Sequence, residues 1–156
     1  TNFTLAETIP AAAARAKSGF AVKADGTAVW SIGDVNTNVQ KGVFDGSAWA
    51  AEDTTFVANT DAAGSGPMCY DNTRDIVFAQ KMNTDTVYAI DGTTGATLGS
   101  QALTNDAYNT AGYSGAWCDA ASTTIWTVAR ATAAGTSAHY AKLTYNVTSV
   151  KDWTLY

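Results

Sequence analysis

Along most of the chain, short apolar stretches are separated by small polar turns. Ser18-Gly19 leads into Phe20-Ala21-Val22, the turn Ala24-Asp25-Gly26-Thr27 and a second apolar run, Ala28-Val29-Trp30. A polar segment follows, then Val39 to Phe44 and a fourth stretch centred on Trp49. The same order returns after Ser65-Gly66, with Met68-Cys69, Asp71 to Arg74, Ile76-Val77-Phe78, Thr86 to Ile90, and Leu98 to Leu103. It returns again after Ser114-Gly115, with Trp117-Cys118, Asp119 to Ser122, Ile125 to Val128, His139 to Leu143, and Trp153 to Leu155. Short apolar runs bounded by turn residues read as strands.

The Ser-Gly pairs are 47 and 49 residues apart. Four short strands repeated at that spacing predict β-propeller blades. The third stretch of the first two units ends in Asp-Gly (Asp45-Gly46, Asp91-Gly92), a strong hairpin signal because both residues tolerate positive φ. In the middle unit, Val87-Tyr88-Ala89-Ile90-Asp91-Gly92-Thr93-Thr94-Gly95 resembles the strand and turn of quinoprotein-type and related propeller repeats. That resemblance implies the blade shape and carries over no ligand or activity. The third unit departs from it, with Leu143-Thr144-Tyr145-Asn146 where Asp-Gly should stand and an Ala/Gly/Thr-rich insertion from Ala131 to Ser137.

The expected fold is therefore all-β, one domain of three four-stranded repeats: an N-terminal strand and connector over 1–17, then 18–64, 65–113 and 114–156. The alternative is a β-sandwich or jelly roll. Propellers close with about four to eight blades, so three blades predict a six-bladed ring made by a homodimer. Phe3 to Ile9 stands where the last strand of a preceding blade would end and is a candidate to fasten that ring. Ala11 to Ala16 reads as a helical turn or a plain connector.

Composition narrows the field. The 156 residues are 46% hydrophobic and 15% charged, and Ala and Thr make up about a third of them. Such a chain has the apolar content to fold. A net charge of −5 argues against nucleic acid and anionic membranes, both of which need a basic footprint. No apolar run reaches the length of a membrane helix. No leader sequence is visible, and Thr1 fits either a removed leader or a lost initiator Met. The sequons at Asn2 and Asn146 occur no more often than chance allows.

Candidate chemistry is thin. His139 is the only histidine, and it reads as a surface or inter-blade residue rather than a general base. No nucleophile elbow, P-loop, zinc motif or C-x-x-C is present. Asp25, Asp45, Asp91 and Asp119 fall in turns, where a carboxylate usually bonds the backbone. Asp71 to Asp75 and Asn83 to Asp85 have the oxygen density of a calcium site without EF-hand spacing. Cys69 and Cys118 hold matching places in consecutive repeats. The favoured reading is two buried thiols, the alternative a disulfide, and tetrahedral zinc lacks ligands.

Trp30, Phe78 and Trp126 align across the repeats and are expected in inter-blade core. Trp49, Tyr70, Tyr108 and Tyr113 lie nearer turns, as do Trp117 and Trp153. The first four are the candidate ligand-binding residues, since exposed aromatics suit sugar rings. No cofactor is expected. Three functions compete. The first is a non-enzymatic structural or assembly protein, extracellular or on a virion, partnered with itself, other virion proteins or glycans; the composition resembles that of phage decoration, fibre and tail proteins. The second is a homo-oligomeric lectin resembling the propeller lectins, and the third a secreted hydrolase.

Overall fold

The computed structural model describes residues 17–33, 39–48, 56, 67–80, 86–102, 116–130, 138–146 and 154–155. Among them lie β1 (Lys17–Val22), β2 (Ala28–Gly33) and β3 (Gln40–Val43), then β4 (Met68–Asp71), β5 (Ile76–Gln80), β6 (Thr86–Asp91) and β7 (Thr97–Ala102). The last group is β8 (Ala116–Asp119), β9 (Thr124–Arg130), β10 (Ala138–Asn146) and β11 (Thr154–Leu155). They form three antiparallel meanders in chain order: β1-β2-β3, β4-β5-β6-β7 and β8-β9-β10-β11. The stretch around Trp49, expected as the fourth strand of the first unit, lies outside the described residues, as does the expected N-terminal strand Phe3 to Ile9.

Each first hairpin is built the same way. An aspartate opens or occupies the turn and its Oδ1 accepts backbone N–H groups two or three residues on: Asp71 from Thr73 and Arg74, Asp119 from Ala121 and Ser122. Such bonds satisfy donors that the ladder leaves free. Asp45 and Asp91 do the same at the later turns, accepting from Ser47 and Ala48 and from Thr93 and Thr94. The second and third hairpins each close through a residue at positive φ, Asp75 at 56° and Thr123 at 50°.

Strand register corrects the repeat. Ala21 faces Trp30, Cys69 faces Phe78 and Trp117 faces Trp126, so structurally equivalent residues are 48 apart in both steps. The spacings of 47 and 49 read from the Ser-Gly pairs are each off by one. Of those three serines, Ser18 lies in β1, while Ser65 and Ser114 lie outside the described residues. One residue matters, because neighbouring side chains on a strand point to opposite faces.

The sheets pack in series through two cores. Between the first and second lie Trp30, Ile32, Val39, Met68, Val77 and Ile90; between the second and third lie Ile76, Phe78, Val87, Ile125, Leu143 and Tyr145. Trp30 stacks on Tyr70 at 4.4 Å between ring centroids, and Phe78 meets Tyr145 at 4.8 Å. The first strands converge, β1 beside β4 and β4 beside β8. Three sheets set radially in this way are blade-like, and they are not the two facing layers of a sandwich.

Two expectations about side chains change. Cys69 and Cys118 are bonded to each other, which sets aside the two-thiol reading. Because the true period is 48, they occupy successive rather than equivalent places: Cys69 looks forward from the second sheet and Cys118 looks back from the third. They therefore meet across the inter-sheet core. Trp126 is not core in this chain. It is 41% exposed where Trp30 and Phe78 are each 1%, because among the described residues no sheet packs on the far side of β8–β11.

Candidate functional site

The first two sheets leave a cleft of about 390 Å³ at their hairpin ends. Its floor is the Trp30–Tyr70 stack. Lys23, Thr27, Val43, Asn72 and Thr93 rim it, and Lys41 and Asp75 face each other across it. Register explains the placing of Lys41. It pairs with Trp30 across β2 and β3, and its ammonium sits 5.4 Å from the Trp30 ring and 5.0 Å from that of Phe56. The ammonium donates to the Gly92 carbonyl in the β6–β7 turn. Desolvation holds Lys41 below the usual lysine range, opposed by the Asp75 charge.

Asp75 is held from both sides. The Tyr70 hydroxyl donates to its Oδ1 at 2.6 Å and the Thr93 hydroxyl to its Oδ2 at 2.6 Å. The opposite wall must be glycine: a Cβ on Gly92 would stand 2.3 Å from Asp75 Oδ1. Burial, and then the bond to Asp75, pushes the Tyr70 phenol up. At the rim, Asp25 accepts from the Thr27 hydroxyl and amide, which holds it down at about 2. Lys23 pairs with Asp25 at 2.9 Å and donates to Thr27. The cleft thus joins two cations, one braced carboxylate and three hydroxyls, those of Tyr70, Thr93 and Thr27, around the Trp30–Tyr70 stack. Such a surface can hold a polar ligand, and its acid–base groups are already engaged with one another.

A second polar cluster locks the next pair of sheets. The Asp71 carboxylate is fully buried and accepts from Arg74 Nη1 at 3.0 Å and the Tyr145 hydroxyl at 2.6 Å, besides the two turn amides. Arg74 also donates to the Ala120 carbonyl at 2.9 Å. Burial and the bond to Asp71 raise Tyr145 as well. The oxygen density read as a calcium motif is thus spent on a guanidinium, a phenol and the turn. Among the described residues, no three His, Cys, Asp or Glu side chains come together.

Of the four candidate ligand-binding residues, Tyr70 reaches the cleft; Trp49, Tyr108 and Tyr113 lie outside the described residues. His139 lies in β10 opposite Ala129, and Asn146 opposite Thr154 at the end of that strand. Asn2 and the Asn83 to Asp85 stretch lie outside the described residues. Lys41, Arg74 and Tyr145 were not singled out from sequence. The one available signal was the lysine placed opposite a tryptophan on the neighbouring strand, and it needs the register to be seen.

The two raised phenols set an alkaline limit. An unfolded tyrosine ionises near pH 10 while Tyr70 and Tyr145 keep their protons in the fold, so above about pH 10 the unfolded chain binds fewer protons. The stability these two groups contribute is complete below that pH and falls as pH rises through it. Urea midpoints between about pH 8 and pH 11 should decline, and the double change Tyr70→Phe, Tyr145→Phe should flatten the decline. An equal decline in the double variant would assign it to other groups.

No family model matches the chain, and no curated protein matches it in sequence. Solved structures match it in shape. A luciferin-regenerating enzyme superposes with TM-score 0.57 at 9% identity, over 85% of this chain and 45% of that one. The WD40 repeats of RRP9 superpose with TM-score 0.54 at 8% identity, over 91% of this chain and 47% of that one. BamB from Moraxella catarrhalis gives TM-score 0.48 at 14% identity, over 80% and 37%. At these identities the likeness shows the fold alone: the chain has a β-propeller-like, all-β repeat fold. It spans about half the length of the structures it resembles or less.

Proposed function

We propose that this chain is a non-enzymatic structural or assembly protein whose first partner is another copy of itself. One observation carries the reading: large apolar side chains stand in water on both end sheets, with Phe20 69% exposed on the first and Trp117 61% exposed on the third. Contiguous exposed apolar faces of this kind mark contact surfaces. The setting we propose is extracellular or on a virion. The Cys69–Cys118 bond supports an oxidising compartment, and the virion rests on compositional resemblance alone. Glycans are the second partner class, with Tyr70 in the cleft as the aromatic contact.

A second reading, a secreted hydrolase, is favoured by the cleft itself, where Asp75 and Lys41 face one another over about 390 Å³. Asp75 is already held by the Tyr70 and Thr93 hydroxyls and the Lys41 ammonium by the Gly92 carbonyl, which supports the binding reading over it. A panel of ester, lactone and glycoside substrates separates the two. No turnover is expected. Turnover that disappears in Asp75→Asn while the circular dichroism spectrum is kept would make the cleft an active site and overturn the assembly reading.

A further inference from the structure

Resting on that assembly reading, we propose that two copies close a six-sheet ring, the β8–β11 sheet of each packing on the β1–β3 sheet of the other. The repeat itself says what covers the bare faces. Trp30 and Phe78, 48 residues apart, point forward and are each buried by the next sheet. Trp126 is the next member of that series, and among the described residues no sheet follows to cover it. On the receiving side, Val77 and Ile125 are buried against the sheet that precedes them. Val29 is their counterpart in the first sheet, and it shares its outward face with the exposed Phe20 and Val22. Among the described residues, the third sheet thus keeps exposed forward-facing side chains and the first sheet exposed receiving-side ones of the same repeat.

Polar contacts agree. Lys142 pairs with Trp126 in register and lies 5.3 Å from its ring, as Lys41 does at 5.4 Å from Trp30. Lys41 reaches the Asp91–Gly92 turn of the sheet ahead. In the ring, Lys142 approaches the turn after β3 of the second copy, where register puts Phe44 at the place of Gly92 and Asp45 one residue on, a cation set beside a carboxylate. The two faces differ, so the contact is head to tail and must either close or run on as a fibre. Two copies supply six sheets, inside the range of closed propellers, whereas three would supply nine. The chain also covers 45% and 47% of two propeller-like structures that superpose on it with TM-scores of 0.57 and 0.54.

The native disulfide supplies the test. Cys69 and Cys118 bridge the second and third sheets, and in the 48-residue repeat their counterparts at the proposed contact are Trp117 and Val22 of the other copy. The double variant Val22→Cys, Trp117→Cys should oxidise to a covalent two-chain species on a non-reducing gel, which neither single variant forms as completely. The unaltered chain should sediment as a two-chain particle, and Trp126→Asp should raise its dissociation constant at least tenfold without loss of fold. A ladder of three, four and more chains would overturn closure while leaving the assembly reading standing. A wild-type chain that sediments as a monomer at micromolar concentration, with faces reserved for further sheets of a longer polypeptide, would overturn the ring. Catalytic turnover lost in Asp75→Asn would remove the assembly reading without touching either measurement.

Discussion

Trp30→Ala should lower the unfolding free energy by about 3–5 kcal/mol, the loss typical of a large aromatic removed from a packed core. Trp30 is 1% exposed, stacks on Tyr70 and lies under the Lys41 ammonium. Its removal opens a void between the first two sheets and strips the floor from the cleft. The indole Nε1 is buried without a hydrogen-bond partner among the described residues, so the ring contributes through area and contact rather than through its N–H. Trp30→Phe should therefore cost much less than Trp30→Ala, because it also removes an unsatisfied donor. Urea denaturation with matched m-values measures both. A loss below about 1 kcal/mol for the alanine variant would mean that the two sheets do not depend on this contact.

Asp71→Ala should cost about 3 kcal/mol, towards the low end for breaking a buried ion pair because Arg74 keeps some access to water. The substitution leaves the Tyr145 hydroxyl buried without its acceptor and removes the cap from two turn amides. Tyr145→Phe, which deletes one donor and leaves the carboxylate its other three, should cost only about 1 kcal/mol. If the two variants lose equal stability, the Arg74 and turn bonds contribute nothing, and the account of this cluster fails. Added calcium should leave the wild-type melting temperature unchanged, since both carboxylate oxygens are already engaged.

The hairpins were legible because their causes are local. Asp-Gly pairs, turn aspartates and alternating apolar residues act within a few positions, so three units of short strands could be marked out before any packing was known. What a one-dimensional repeat does not carry is parity. The Ser-Gly pairs place the units 47 and 49 apart, the strand register places them 48 and 48 apart, and a slip of one residue turns a side chain to the opposite face. Equivalent cysteines would have pointed the same way and stayed apart; successive ones face each other and bond.

The same limit governs the polar groups. Asp71 and Asp75 belong to one turn, yet one is buried against Arg74 and Tyr145, and the other faces Lys41 in an open cleft. Within the turn Asp71 caps the Thr73 and Arg74 amides and Asp75 takes the positive φ, but which neighbouring sheet each side chain meets is decided outside it. Trp126 matches Trp30 and Phe78 in type and place, and it stands in water because burial depends on the sheet that follows. The sequence by itself determined the described strands and their turns. The tertiary structure decided which face each strand buries, which distant residues share a core, and which apolar side chains of the two end sheets stay exposed. Local torsion and alternation settle the first; only contacts between sheets, far apart in sequence, settle the second.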